Sequence, residues 1–216
     1  MLEHFESLGD NCEFGFVQRH NGCEPGGLLR WATVPHESLI KALKSRFSKL
    51  YQYASLSPVW DDMVRDEEYG IGFHTNLRSN VVNGKRQYIL GNDECTAIYA
   101  EEQEKIKYLR QKLIEQLNDA SKIFVYKTNY HLQDSLVKEI FAEMKAYNEN
   151  NELLFVSSFT DQNPGTVWKN DSGIICASID RFAPYDKADD VSYDLWSVIC
   201  QRALALIGKD FAAGSS

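Results

Sequence analysis

Cys12, His74 and Asn129 each follow a short apolar run, and together they are the residues of this chain best suited to covalent chemistry. Cys12 closes the stretch Ser7-Leu-Gly-Asp-Asn-Cys12, His74 follows Tyr69-Gly-Ile-Gly-Phe73, and Asn129 follows Lys122-Ile-Phe-Val-Tyr126 and Thr128. A strand is expected over 4–9. Asp10 and Asn11 are turn and helix-capping types, so Cys12 is expected on the first turn of a helix over 12–20. A thiol there faces unpaired backbone N–H groups and the positive end of the helix dipole, which favour the nucleophilic thiolate. A Cys, a His and an Asn meeting at one sheet edge would supply nucleophile, base and orienting group. The competing readings are a cysteine that is a small buried hydrophobe, a histidine that bonds a loop, and an asparagine that makes a turn.

Further polar residues are placed to bind a substrate. Asp10 and Asn11 sit in the turn before Cys12. Arg30-Trp31 follows the Pro25-Gly26-Gly27 loop, and Asp161 and Asn163 lie in the polar segment Thr160-Asp-Gln-Asn-Pro-Gly-Thr166. The paired carboxylates Asp61-Asp62 and Asp189-Asp190 read as solvated loops. The glycines form neither a G-x-G-x-x-G nor a P-loop pattern, and the cysteines (12, 23, 95, 176 and 200) form no C-x-x-C pair. No cofactor and no metal is therefore expected. An odd number of scattered cysteines fits a reducing, cytoplasmic setting.

The elements that must position these residues alternate. A helix begins at Pro35-His36, with Leu39, Ile40, Leu43 and Phe47 at helical spacing. A hairpin is expected around Asn83-Gly84, then a long charged helix over 96–118. Strand 122–126, helix 133–148, strand 153–157, strand 174–179 and helix 193–208 complete the chain. This pattern predicts an α/β fold: a single domain over 1–211 with a mainly parallel central sheet flanked by helices and a small β-hairpin insert, then a flexible tail over 212–216. In such sheets ligands bind beyond the carboxyl ends of the strands.

With 44 % hydrophobic and 12 % aromatic residues, the 216-residue chain can bury a substantial core. Its net charge of −8 argues against nucleic acid as the partner. No run approaches the roughly 18 apolar residues of a membrane span, and Met1-Leu-Glu-His-Phe-Glu6 shows no secretory pattern.

The combination Ser7-Leu-Gly-Asp-Asn-Cys12, Leu29-Arg-Trp31, Gly72-Phe-His74 and the long charged helix leading into Ile123-Phe-Val125 resembles a bacterial family of uncharacterised papain-like cysteine peptidases. The resemblance covers residues 5–130. It implies Cys12 as nucleophile and His74 as base, and related segments accompany glycosyltransferase and surface-polysaccharide genes. Two positions depart from the family pattern: Thr75 stands where an Asp is usual, and Leu-Arg-Trp replaces Phe-Asp-Trp. The opening is more faintly similar to the strand–Gly-Asp-Ser–helix start of SGNH hydrolases, without their late Asp-x-x-His.

The leading expectation is a thiol-dependent hydrolase or acyl-transfer enzyme acting on a small molecule or peptide. The alternative is a sugar- or nucleotide-sugar-binding domain tied to glycosyl transfer, with Arg30, Trp31, His74 and the 160–166 loop as binding residues and Cys12 structural. A non-catalytic interaction domain is the third reading.

Overall fold

The buried side chains of successive strand residues alternate between two apolar clusters, and that alternation defines the architecture. In the computed structural model, which describes residues 1–208, strands β1 (Phe5–Ser7), β8 (Ile123–Lys127), β9 (Glu152–Ser157), β11 (Ile175–Ser178) and β10 (Val167–Lys169) form one sheet in that order, and all but β10 run parallel. Ile123, Val125, Leu154, Val156, Ile175 and Ala177 point to one face, where α1 (Glu13–His20) and α5 (Tyr193–Ile207) cover them. Phe124, Tyr126, Leu153 and Phe155 point to the other, against α2 (His36–Lys44), α3 (Asn92–Asp119) and α4 (Asp134–Lys145). Strands buried on both faces read as continuous apolar runs, which is why these were visible in the sequence.

The insert is larger than a hairpin. Strands β2 (Ala32–Thr33), β3 (Leu56–Trp60), β4 (Met63–Asp66) and β5 (Ile71–His74) form a four-stranded antiparallel sheet in the order β2-β5-β4-β3. The expected hairpin, β6 (Ser79–Val82) and β7 (Lys85–Tyr88), stands beside it. Its turn residues Asn83 and Gly84 have φ of 51° and 76°, as a type I′ turn requires. The second sheet is made of runs of two to five residues with polar interruptions, such as Met63-Val-Arg-Asp66, and these carry little periodic signal. The long helix starts earlier than its apolar stripe, at Asn92, and runs 28 residues, about 42 Å. No helix among the described residues is long and apolar enough to cross a membrane. The segment expected as a tail, 212–216, lies outside the described residues.

The two sheets join at the end of β1. Val34, following β2, donates its N–H to the carbonyl of Asp10 at 2.8 Å, and the Tyr126 hydroxyl donates to the Val34 carbonyl at 3.2 Å. Gly9 allows this junction. It has φ of +105°, and a Cβ there would lie 2.6 Å from Val34 Cβ, so only glycine fits.

Glu6 places a carboxyl inside the structure, in the middle of edge strand β1. Burial pushes its pKa up from 4.5 to about 7, against the opposing pull of Lys112, Lys122, Gln116 and Arg30. A raised folded-state pKa means that the folded chain holds the proton more tightly than the unfolded chain. The Glu6 contribution to stability is therefore complete below pH 4.5 and is lost as pH rises through about 7. Urea denaturation across this range should show a Glu6→Gln variant gaining on the wild type by on the order of 3 kcal/mol between the two limits. Parallel pH profiles for the two proteins would refute this.

Candidate functional site

The carboxyl edge of the parallel sheet gathers Asp10, Asn11, Cys12 and Asn129, while His74, also expected after a strand of this sheet, belongs to the second sheet. The local geometry around Cys12 differs in one respect. The thiol residue is the N-cap of α1, with φ −74° and ψ −4°, rather than part of its first turn. Asn11 supplies the capping bond: its Oδ1 accepts the Glu13 N–H at 3.0 Å. The Asn11 Nδ2 is buried without a partner.

The charged centre of this edge is a pair absent from the sequence reading. Lys127 Nζ lies 2.9 Å from Glu13 Oε2, and both side chains are 0 % exposed. Every nearby polar group supports the pair. Trp196 Nε1 donates to Glu13 Oε1 at 3.0 Å, and the Ala183 N–H donates to Oε2 at 3.2 Å. Lys127 also donates to Asn129 Oδ1 at 2.6 Å, while Asn129 Nδ2 donates to the Ala183 carbonyl at 2.7 Å. Asn129 is thus an orienting group, but for a lysine and a loop rather than for a histidine. A glutamate inside an otherwise apolar helix start and a lysine closing the run Ile123-Phe-Val-Tyr126 were the available signals, since buried charges come in pairs.

Asp10 lies on the other side of the same edge. It is 3 % exposed, and burial raises its carboxyl pKa against the opposing hydrogen bond from Tyr185 and the charges of Lys127 and His36. The Tyr185 hydroxyl donates to Asp10 Oδ2 at 2.5 Å. Burial and the Asp10 contact in turn push the Tyr185 hydroxyl pKa above its ordinary value. Tyr185 is 49 % exposed, so it links a buried carboxyl to solvent. Next to it, Tyr130 is paired with His36 through a 3.0 Å contact from its hydroxyl to Nδ1. Two tyrosines and a histidine thus rim a buried acid. Tyr185 lies far along the chain from Asp10, and His36 opens α2, so spacing could not group them.

The thiol does not meet the histidine. No hydrogen bond reaches Cys12 Sγ among the described residues, and burial pushes its pKa up to about 11 against the pull of Lys127. At neutral pH Cys12 is a protonated thiol, contrary to the expected thiolate, because desolvation outweighs the helix terminus. His74 ends β5 in the second sheet, 50 % exposed, with Nδ1 at 3.4 Å from Asp62 Oδ2. It lines a groove with Trp31, Phe16 and Arg19 that Cys12 does not line. β2 explains the separation: Val34, beyond one end of it, touches Asp10, while Trp31 and His74 lie at the other end.

The remaining expected binding residues fall in three places. Arg30 is buried and structural: its guanidinium donates to the carbonyls of Pro25, Gly15 and Cys23 at 2.9–3.1 Å and pairs with Glu24. It is spent on the loop and is not available to a ligand. Trp31 stacks over it, 4.8 Å from ring centroid to Cζ. Asp161 and Asn163 lie exposed in the loop between β9 and β10, which Ser178 at the end of β11 tethers through the Gln162 carbonyl.

Breaking the buried pair leaves one uncompensated charge. Lys127→Met should lower unfolding free energy by about 3–5 kcal/mol, and adding Glu13→Gln should restore part of that loss. Chemical denaturation of the single and double variants measures both, and additive losses would mean the charges do not interact. No family model matches the chain, and no curated protein or solved structure matches it.

Proposed function

We propose that the chain acts on a small hydroxyl-bearing molecule of the sugar type at the carboxyl edge of its parallel sheet, with Asp10 as the acid–base group. The observation that carries this reading is the buried Asp10 carboxyl, its pKa raised by burial, connected to solvent through the half-exposed Tyr185 hydroxyl. A carboxyl with a raised pKa is a stronger base than an ordinary carboxylate and suits proton transfer from a substrate hydroxyl. Tyr185 and Tyr130 offer aromatic faces and hydroxyl donors, which complement a sugar ring in shape and polarity. This perturbed group lies where open α/β sheets hold their ligands. The five free cysteines fit a reducing, cytoplasmic setting.

The resemblance to papain-like peptidases supports a second reading, hydrolysis or acyl transfer through Cys12. Its specific support is that Cys12 is half-buried rather than sealed, and that Lys127 pulls its pKa down against desolvation. In that reading His74 is not the proton acceptor of the resting protein.

Thermal melting with UDP-glucose as probe, alongside iodoacetamide labelling of Cys12 followed by peptide mass spectrometry, separates the two. The acid–base reading expects the nucleotide sugar to stabilise by about 2.7 kcal/mol at a hundredfold excess over its Kd. That shift should vanish in Asp10→Asn and Tyr185→Phe and persist in Cys12→Ser, with slow labelling at pH 7. No thermal shift together with fast labelling at pH 7 would replace it with the thiol reading.

A further inference from the structure

His74 and Trp31 line one groove, separate from the Asp10 edge. This groove, of about 370 Å³, opens between α1, β5 and α3. Its apolar surface includes Phe16, Trp31 and Ile106, and two cations from two helices, Arg19 and Lys105, stand on it beside the His74 imidazole. In a chain of net charge −8, cations converging on an apolar groove form a local field that attracts anions.

The cations are only partly spent on the protein. Arg19 donates through Nε to Glu24 Oε1 at 2.6 Å, and His74 Nδ1 faces Asp62 at 3.4 Å. Among the described residues, the Arg19 Nη groups, His74 Nε2 and Lys105 Nζ make no hydrogen bond or ion pair. The Arg19 guanidinium lies over Trp31, 4.4 Å from Cζ to the ring centroid, and Trp31 in turn meets Phe16 edge-on at 5.1 Å between centroids. That contact and the bond to Glu24 restrain the guanidinium, whose terminal N–H groups suit a two-pronged contact with a planar or tetrahedral anion.

We propose that this groove binds a small organic anion, a phosphate or carboxylate carried on a planar apolar ring. The anionic group lies among Arg19, His74 and Lys105, and the ring covers the apolar wall at Ile106 and Phe16. The cavity has room for both parts, and neither alone uses the whole surface. The inference is independent of the chemistry at Asp10.

Isothermal titration of the full chain with phenyl phosphate, benzoate and inorganic phosphate tests it. At least one ring-bearing anion should bind about tenfold more tightly than inorganic phosphate. Lys105→Glu and Arg19→Ala should each weaken that binding by a similar factor, and Lys169→Glu, on the distant edge strand β10, should not. Lys105→Gln guards against a folding defect and should give an intermediate loss. Preference for phenyl phosphate identifies a phosphate ligand, and preference for benzoate a carboxylate. No heat from either ring-bearing anion, equal binding of inorganic phosphate, or binding indifferent to Lys105→Glu would overturn the proposal.

Discussion

The buried Glu13–Lys127 pair is the constraint around which the sheet edge is built. Two charges with no access to water are tolerable only when each remaining donor and acceptor is also met. Here the partners come from four separate parts of the chain: the start of α1, the end of β8, the segment around Ala183 and helix α5. Meeting those requirements pins the Ala183–Tyr185 segment across the ends of β1 and β8. Tyr185 can then reach Asp10. The exposed chemistry of the edge therefore rests on an electrostatic demand in its interior.

The same principle, that burial decides protonation, separates the acidic groups and thiols of this protein. Glu6, Asp10 and Cys12 lie on or just beyond β1, and burial raises the pKa of each. What differs is the company. Glu6 lies among Lys112, Lys122 and Arg30 inside the fold, Asp10 has a tyrosine leading to solvent, and the Cys12 thiol makes no hydrogen bond among the described residues. Proximity to a helix N-terminus counts for little when desolvation works in the opposite direction with greater strength.

The second sheet has a positional effect beyond its own stability. It packs its apolar side, through Val64, Ile71 and Phe73, into the same core as Phe124 and Tyr126. Its strand β2 is flanked by Trp31, which lines the groove, and Val34, which bonds Asp10. Two surfaces of different chemistry result, one acidic and hydroxyl-rich, the other cationic and aromatic.

Much of this was legible from local pattern. Strands β8, β9 and β11 are built on apolar runs, the helices carry apolar stripes at helical spacing, and Asn83-Gly84 fits only a tight hairpin turn. Cys12, His74 and Asn129 could each be placed after a strand, but only Cys12 and Asn129 share an edge, because β1 and β8 are parallel neighbours whereas β5 belongs to the second sheet. What the residues do there was not legible. The pairing of Glu13 with Lys127, the reach of Tyr185 to Asp10 and the assignment of His74 to a groove with Trp31 join residues separated by up to 175 positions, and short antiparallel strands with weak periodicity decide the last. The sequence by itself determined the elements and the edge, since these depend on neighbours along the chain. Only the tertiary structure decided which polar groups share a site and which are buried, because desolvation and hydrogen bonding depend on neighbours in space.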